Sequence, residues 1–504
     1  MKNILKNNLD INLIIFSISY RIIIFFSNGN LFQLENKTPY TDMLENNFTS
    51  FLFREHTKPL ITYLRDFISF NIYKFNYTLP NLIFLSFLDI IAAFIYSKLI
   101  YKFTNSYILK NIGGFLLSIA FVTWEYWWQS SHFDHLSIFL FAICLDSTTN
   151  ILANKNLKNL FYFVFSYSLL CISHSFGIIL FLSSLTILFF SISKKYIIFS
   201  FLVVFIIYLS SVFGNIYRYQ TPFLSTLGPP NRLQLIWTNA KAEKEILSYV
   251  RRSKNLPNWY KNCFLEAYES KRIDGRYESI YGWCMPYPNV SKNNLKETKT
   301  YLQNFLINNE KDKELQKIIQ KDLKMLEEPY HFTNNTSGHR LNFHVYYGKF
   351  SGKVASWIIL NFPFIGLYAF AKSFIIAITQ GSLLFTGQHY DASSINLPYF
   401  HKNFNYVVSI FIFFGFILSF LQFIKLFISF EKKRIIFPIK KLNLIVKYDP
   451  LKVITIINVI FIPLIYSIST CCEVDRMMAP ILPYCLIIFF EFLNRLKIGK
   501  LYKS

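Results

Sequence analysis

Arg54-Glu55-His56-Thr57-Lys58-Pro59-Leu60-Ile61-Thr62-Tyr63-Leu64 is the charged centre of a polar stretch, Asn28 to Asn76. That stretch lies between one apolar run, Ile11 to Ser27, and a second, Pro80 to Tyr101, and it also holds Thr41-Asp42-Met43. A carboxylate just past a first apolar helix, then a charged cluster that breaks at Lys58-Pro59-Leu60 into an amphipathic run, gathers acid, base and phosphate-binding groups in one loop. The fold therefore turns on whether the flanking runs cross a bilayer.

Composition answers that. The chain has 504 residues, 53% of them hydrophobic and only 16% charged, which excludes a single soluble globule and predicts an all-α polytopic membrane protein. The net charge of +23 sits in short Lys/Arg segments between apolar runs, where it reads as a topology signal, so no nucleic-acid partner is expected. The 56 Phe and 33 Tyr, with abundant Asn, Ile and Lys, lower the information carried by any one of those residues. Lys2 and Lys6 precede the first apolar run and no small-residue cleavage site closes it, so it reads as a signal anchor.

Eleven runs are candidate transmembrane or half-membrane helices: Ile11 to Ser27, Pro80 to Tyr101, Ile108 to Trp124, Leu136 to Leu152, Leu160 to Cys171, Phe176 to Phe190, Tyr196 to Phe213, Val354 to Thr379, Tyr406 to Phe430, Val453 to Ile468 and Met477 to Leu493. Several fall short of the roughly 20 residues a spanning helix needs. Lys102 and Lys110, Lys155 and Lys158, Lys194 and Lys195, Lys432 to Arg434 with Lys440 and Lys441, and Arg495 to Lys503 all belong on the cytoplasmic side. Asn28 to Asn76, Glu125 to His135, His174 to Ser175 and Cys471 to Arg476 then share the outer face. Placing both Gly214 to Lys353 and Gln380 to Asn405 outside requires Val354 to Thr379 to make no net crossing. Pro363 and Lys372 interrupt that run, which reads as re-entrant or interfacial; the alternative is that Leu160 to Phe190 makes one crossing.

The domain reading follows: an N-terminal module, 1–213, whose first outer loop is 28–76; a mostly helical extracytoplasmic insertion, 214–353; and a C-terminal membrane module, 354–504. Within the insertion, Leu315, Ile318, Ile319, Leu323 and Leu326 keep helical spacing and predict an amphipathic helix over much of Ser291 to Glu328. Gly228-Pro229-Pro230 and Pro286-Tyr287-Pro288 mark turns. Cys263 and Cys284 are candidates for a disulfide in an oxidising compartment, against the alternative of buried free thiols.

Asp42 in its loop can take a hydroxyl proton as general base; an ordinary solvated aspartate is the competing reading. Arg54 offers a phosphate a bidentate fork and Lys58 a point charge, while Pro59 sets the entry of a following helix. Glu55 and His56 stand where an acceptor or a metal could bind, although a basic helix flank at the membrane surface explains the same residues. Trp124-Glu125-Tyr126-Trp127-Trp128 fits an interfacial aromatic belt. His132-Phe133-Asp134-His135 puts two imidazoles and a carboxylate at the mouth of the fourth span, where ionisable groups are costly unless paired or functional. His132, Asp134 and His135 are candidate ligands of a divalent metal, with Asp134 more economically a carboxylate that supports the base or the acceptor.

Ser173-His174-Ser175-Phe176-Gly177 separates two short apolar segments and brings His174 and backbone amides near a lipid phosphate, unless it is a plain hairpin turn. Near the end, Glu473-Val474-Asp475-Arg476 precedes Pro480 and Pro483. Arg476 is suited to a departing lipid phosphate, with Glu473 or Asp475 holding its orientation, and an ordinary ion-paired cap competes.

Together, the acidic first loop, the Glu-x-x-Lys-Pro-Leu-x-x-Tyr-Leu pattern from Glu55 to Leu64, the short segments around His174 and the closing Glu-x-x-Arg-x-x-x-Pro-x-x-Pro from Glu473 to Pro483 resemble the GT-C membrane glycosyltransferases. Within that superfamily the likeness is to the protein mannosyltransferase and aminoarabinose transferase group. The resemblance covers the first two hundred residues and the last hundred or so. It implies a polyprenyl-phosphate sugar, dolichyl or another, as donor, a first-loop acid near the acceptor, which falls on Asp42, and Lys58 and Arg476 near the donor phosphate. The chain departs from the pattern in having a single acid in the first loop, Leu60 where a second proline is frequent, and a long insertion.

The expected activity is inverting transfer of a hexose to a hydroxyl of a lipid, glycan or protein outside the cytoplasm. A divalent metal is the one candidate cofactor, and membrane lipids are partners. A bacterial inner membrane is the expected location, with the endoplasmic reticulum obeying the same physics. Asn36, Asn47, Asn76, Asn289, Asn334 and Asn335 form sequons on the outer side, but Asn is too common here for them to decide. The rivals are a transporter or flippase of a lipid-linked or anionic substrate, which more often keeps charges near the bilayer midplane, and a non-catalytic scaffold.

Overall fold

Apolar runs that meet no water close their backbone hydrogen bonds within themselves, and these do so as helices. The structure is a computed structural model and describes residues 2–27, 78–127, 136–173, 177–219, 228–269, 295–327, 341–383, 398–427, 429–431, 434–436, 449–469 and 478–501. Seven helices come first: α1 Lys2–Ser27, α2 Thr78–Thr104, α3 Tyr107–Trp127, α4 Ser137–Ala153, α5 Leu157–Ser173, α6 Gly177–Leu188 and α7 Lys194–Tyr219. Six more follow outside the first group: α8 Gly228–Ala240, α9 Glu243–Arg252, α10 Asn258–Glu269, α11 Leu295–Asn308, α12 Lys313–Met325 and α13 Asn342–Asn361. The chain continues with α14 Pro363–Ser382, α15 Tyr399–Phe427, a short antiparallel hairpin of β1 Ser429–Glu431 and β2 Arg434–Ile436, α16 Pro450–Ser469 and α17 Leu482–Leu501. Among the described residues, six helices are long and apolar enough to cross a membrane, and four shorter ones are apolar. The chain is an all-α polytopic membrane protein.

Side-chain contacts fix the direction of each helix. Lys110 near the start of α3 pairs with Asp10 of α1, and Arg21 further along α1 pairs with Glu125 further along α3, so these two helices run parallel. α2 returns the other way, because Ser86 meets Glu125 while Lys102 meets Asp146 and Asn150 near the end of α4. Asn159 at the start of α5 bonds back to the carbonyls of Asn150 and Asn154. Lys452 at the start of α16 meets Glu491 of α17, and Asn494 of α17 reaches the carbonyl of Thr104. One end of the bundle therefore carries Lys102, Lys110, Lys452 and Asn494, and the opposite end carries Arg21, Ser86 and Glu125.

A large buried cluster from α2 to α7 and α14 to α17 forms the membrane core, with Tyr96, Phe121, Phe163, Tyr167 and Tyr484 fully enclosed. Two glycines let backbone meet backbone closely within it. A Cβ on Gly415 of α15 would strike the Cys485 backbone of α17, and one on Gly177 would meet the Leu170 carbonyl oxygen at 2.5 Å. The second contact explains how α6 folds straight back on α5.

Helices α8 to α13 build a second cluster with its own aromatic centre. Trp259 stacks on Tyr346 at 5.6 Å, and Tyr249 stacks on Trp357 at 4.1 Å. The predicted amphipathic helix over Ser291 to Glu328 is two helices: α11 ends at Asn308, and Asp312 caps α12, accepting from the amides of Glu314 and Leu315. Leu315, Ile319 and Leu326 are buried as the spacing required. The Asp322 carboxylate accepts from the amides of Asn342 and Phe343 and so caps α13.

Val354 to Thr379 is not one run. It breaks at Phe362, whose non-helical backbone before Pro363 ends α13, and the proline opens α14. α13 belongs to the second cluster through Val354, Ala355 and Ile358, whereas Ala377 of α14 joins the membrane core. α15 begins at Tyr399 rather than Tyr406, which brings His401 and Asn405 onto a helix.

Candidate functional site

Charged side chains inside apolar helices survive only when matched, and α1, α2 and α3 meet around such a match. The Arg21 guanidinium lies edge-on to the Glu125 carboxylate, with Nε 3.0 and 3.1 Å from its two oxygens and Nη2 donating to Oε1. Nη1 donates to the Ser17 carbonyl at 3.2 Å and to Ser118 Oγ at 3.3 Å. Ser86 on α2 donates to Glu125 Oε2 at 2.7 Å. One helical turn further, Asp89 is 1% exposed and lies beside both Glu125 and Arg21. Two carboxyl groups and one guanidinium thus share a buried space with no excess positive charge.

The neighbouring positions extend this layer to α15. Tyr20 turns the other way from Arg21, its hydroxyl 2.7 Å from His401 Nδ1, while His401 Nε2 is 2.7 Å from Thr123 Oγ1. The Asn405 amide nitrogen faces Thr123 Oγ1 at 2.8 Å and His401 Nε2 at 3.0 Å. With the amide so placed, Nε2 accepts, Nδ1 carries the ring proton, and Tyr20 receives it as a hydrogen bond. His401, Asn405 and Thr123 are all buried. The result is a polar floor across four helices, made of two hydrogen-bonded groups that the adjacent Tyr20 and Arg21 set side by side.

This floor lies beneath the end of the bundle from which the predicted site segments depart. α1 ends and α2 begins there, and so do the pairs α3 and α4, α5 and α6, and α16 and α17, as their directions require. Asp42, Arg54, Glu55, His56, Lys58, His132, Asp134, His135, His174, Glu473, Asp475 and Arg476 themselves lie outside the described residues. Among the described residues no group of three or more His, Cys, Asp or Glu is placed to hold a metal, and the candidate ligands His132, Asp134 and His135 are not among them.

Arg21, Asp89 and His401 of the floor went unmarked in the sequence, and Glu125 was placed on the outer face, yet each carries a signal. Arg21 and Asp89 are ionisable residues inside apolar runs, a pattern that points to pairing or function. Glu125 sits in an aromatic belt that suggests an interface, yet it is 1% exposed and faces the interior. His401 lies five residues ahead of the run that begins at Tyr406, and helical continuity would have brought it in. At the opposite end, Lys452, Glu491 and Arg495 form a separate ionic cluster where α16 meets α17. No family model, curated protein or solved structure matches the chain.

Proposed function

We propose that the protein transfers a sugar from a polyprenyl-phosphate donor to a hydroxyl acceptor, at the end of the bundle that lies above the Arg21–Glu125 floor. The observation that carries this reading is the convergence there of the helix ends flanking 28–77, 128–135, 174–176 and 470–477, which hold every residue suited to the chemistry. In this mechanism the acceptor oxygen attacks the anomeric carbon, the bond from that carbon to the phosphate oxygen breaks, and the phosphate leaves with the electron pair. Asp42 takes the hydroxyl proton, and Lys58 and Arg476 neutralise the departing phosphate. Inversion at the anomeric carbon follows from a single displacement.

Cys263 supports an extracytoplasmic position for this end. It is disulfide-bonded in the α8–α13 unit, while Cys144, Cys171 and Cys485 of the membrane core are free, and stable disulfides belong to oxidising compartments. A bacterial inner membrane with a periplasmic site is the setting we favour.

The deciding experiment is transfer from radiolabelled polyprenyl-phosphate sugars by purified protein in native lipid, wild type against Asp42→Asn. Transfer by wild type and its loss in a folded Asp42→Asn protein are expected. Full activity of the variant removes Asp42 as base, and no transfer from a broad donor panel by folded wild type removes the reaction.

One observation favours a second reading. Arg21, Asp89 and Glu125 are ionisable groups buried among apolar helices, a feature of transporters as well as enzymes. Movement of a lipid-linked or anionic substrate across reconstituted vesicles, without sugar transfer, would select that alternative.

A further inference from the structure

Beside the polar floor, α1 and α2 diverge to leave a lateral groove of about 600 Å³, running from Ile14 to Phe26 on one wall and from Leu82 to Phe94 on the other. Thirteen residues of helix on each wall, twelve rises, give it a length of about 18 Å, comparable to one leaflet of a hydrocarbon core roughly 30 Å thick. Of the side chains that line it, only Arg21 and Ser86 are polar. The remainder are Ile, Leu and Phe.

The chemistry of those two polar groups sets what fits. Arg21 is 8% exposed, and four of its five N–H groups are taken: Nε by Glu125, both on Nη1 by Ser17 and Ser118, and one on Nη2 by Glu125. Among the described residues, one N–H is left to donate. Ser86 spends its proton on Glu125 and keeps its oxygen lone pairs to accept. Glu125 cancels the charge of Arg21, and the adjacent Asp89 adds a further carboxyl group, so the floor has no positive charge to offer a phosphate. A bound anion would meet a single cation on the groove lining, Arg21, whose charge Glu125 already cancels, and leaving water for an apolar wall without a counter-charge is costly. A single hydroxyl, by contrast, can donate to Ser86 Oγ and accept from Arg21.

We infer that the α1–α2 groove binds a membrane lipid with an uncharged, hydroxyl-bearing head, its chain along the apolar walls and its hydroxyl at Ser86 and Arg21. If the proposed function holds, and only then, this lipid is the acceptor class, and the anionic donor occupies a different place.

The test is photolabelling of the full chain in phosphatidylcholine nanodiscs with a photoactivatable diacylglycerol and with the phosphatidic acid bearing the same chains. Diacylglycerol should label residues 14–26 and 82–94 severalfold more strongly than the phosphatidate does. Ile90→Trp, which fills the groove without touching the polar floor, should abolish that labelling. Glu125→Gln leaves Arg21 without its counter-charge and should shift the preference toward the phosphatidate, a response that a merely apolar crevice would not give. Equal or stronger labelling of wild type by the phosphatidate overturns the inference, as does labelling spread evenly over the lipid-facing helices. Should Glu125→Gln fail to assemble, wild type and Ile90→Trp decide the matter between them. The readout needs no sugar transfer, so it can fail while the proposed reaction stands, and the reverse.

Discussion

Arg21 on α1 and Glu125 on α3 face each other edge to edge inside the bundle, with Ser17, Ser118 and Ser86 completing their hydrogen bonds. A buried pair of this kind need not stabilise the fold relative to apolar residues, but losing one member strands the other. Glu125→Ala should therefore cost about 3–5 kcal/mol, seen as a lower unfolding temperature in detergent. The double change Arg21→Met with Glu125→Leu should recover most of that loss. Full stability of Glu125→Ala would mean the pair does not form.

His401 joins Tyr20 of α1 to Thr123 of α3 through both ring nitrogens. His401→Phe keeps a ring against Tyr20 but leaves polar groups without partners, at about 1–3 kcal/mol for each buried one. The expected result is a destabilised but assembled protein, with His401→Gln intermediate. Unchanged thermal unfolding of His401→Phe would remove the bridge.

Cys263 should appear in a disulfide-linked peptide when the protein is digested without reductant, and should resist alkylation until reduced. Reduction should destabilise the α8–α13 unit by about 2–5 kcal/mol. Alkylation of Cys263 in native, unreduced protein would contradict the bond.

Gly415 admits the Cys485 backbone, so Gly415→Ala should push α15 from α17 and cost about 1–3 kcal/mol or more. Gly348→Ala is the control, because its nearest neighbour, Pro230, is 3.3 Å from the new carbon and can give slightly. Equal stability of the two variants would sink the argument.

Tyr260 and Tyr347 lie buried in the α10–α13 core, and burial pushes both phenols above their usual range. A raised acid constant in the folded state means the folded unit holds these protons more tightly than the unfolded chain. Their contribution is complete below a pH of about 10 and is lost as pH rises through the folded values. Alkaline titration should show both phenols ionising only as the unit unfolds, and Tyr260→Phe should move that unfolding to higher pH. Ionisation without loss of structure would count against their burial.

The membrane helices were legible because long apolar runs have one way to satisfy their amides, and basic residues between them mark which ends lie together. Leu315 and Ile319 announced a buried helical face by spacing alone. Boundaries were harder: Asn309 to Asp312 breaks what looked continuous, and Phe362-Pro363 divides what looked like one segment. The polar floor was hidden for a different reason. Arg21, Asp89, Glu125 and His401 stand on four helices separated by up to 380 positions in the chain, from 21 to 401, and only packing brings them into one layer.

The Arg21–Glu125 pair also bears on how the chain enters the bilayer. α1 is synthesised before α3, so its arginine lacks the hydrogen-bonded partner Glu125 for about a hundred residues, with only Asp89 of α2 arriving between. An unpaired arginine deep in a spanning segment raises the cost of insertion by about 2.5–3.5 kcal/mol on translocon scales. α1 alone should therefore partition poorly, and α3 should act as its intramolecular chaperone. A nascent chain stalled before position 125 should remain extractable or bound to the insertion machinery, and one released after α3 should be stably integrated.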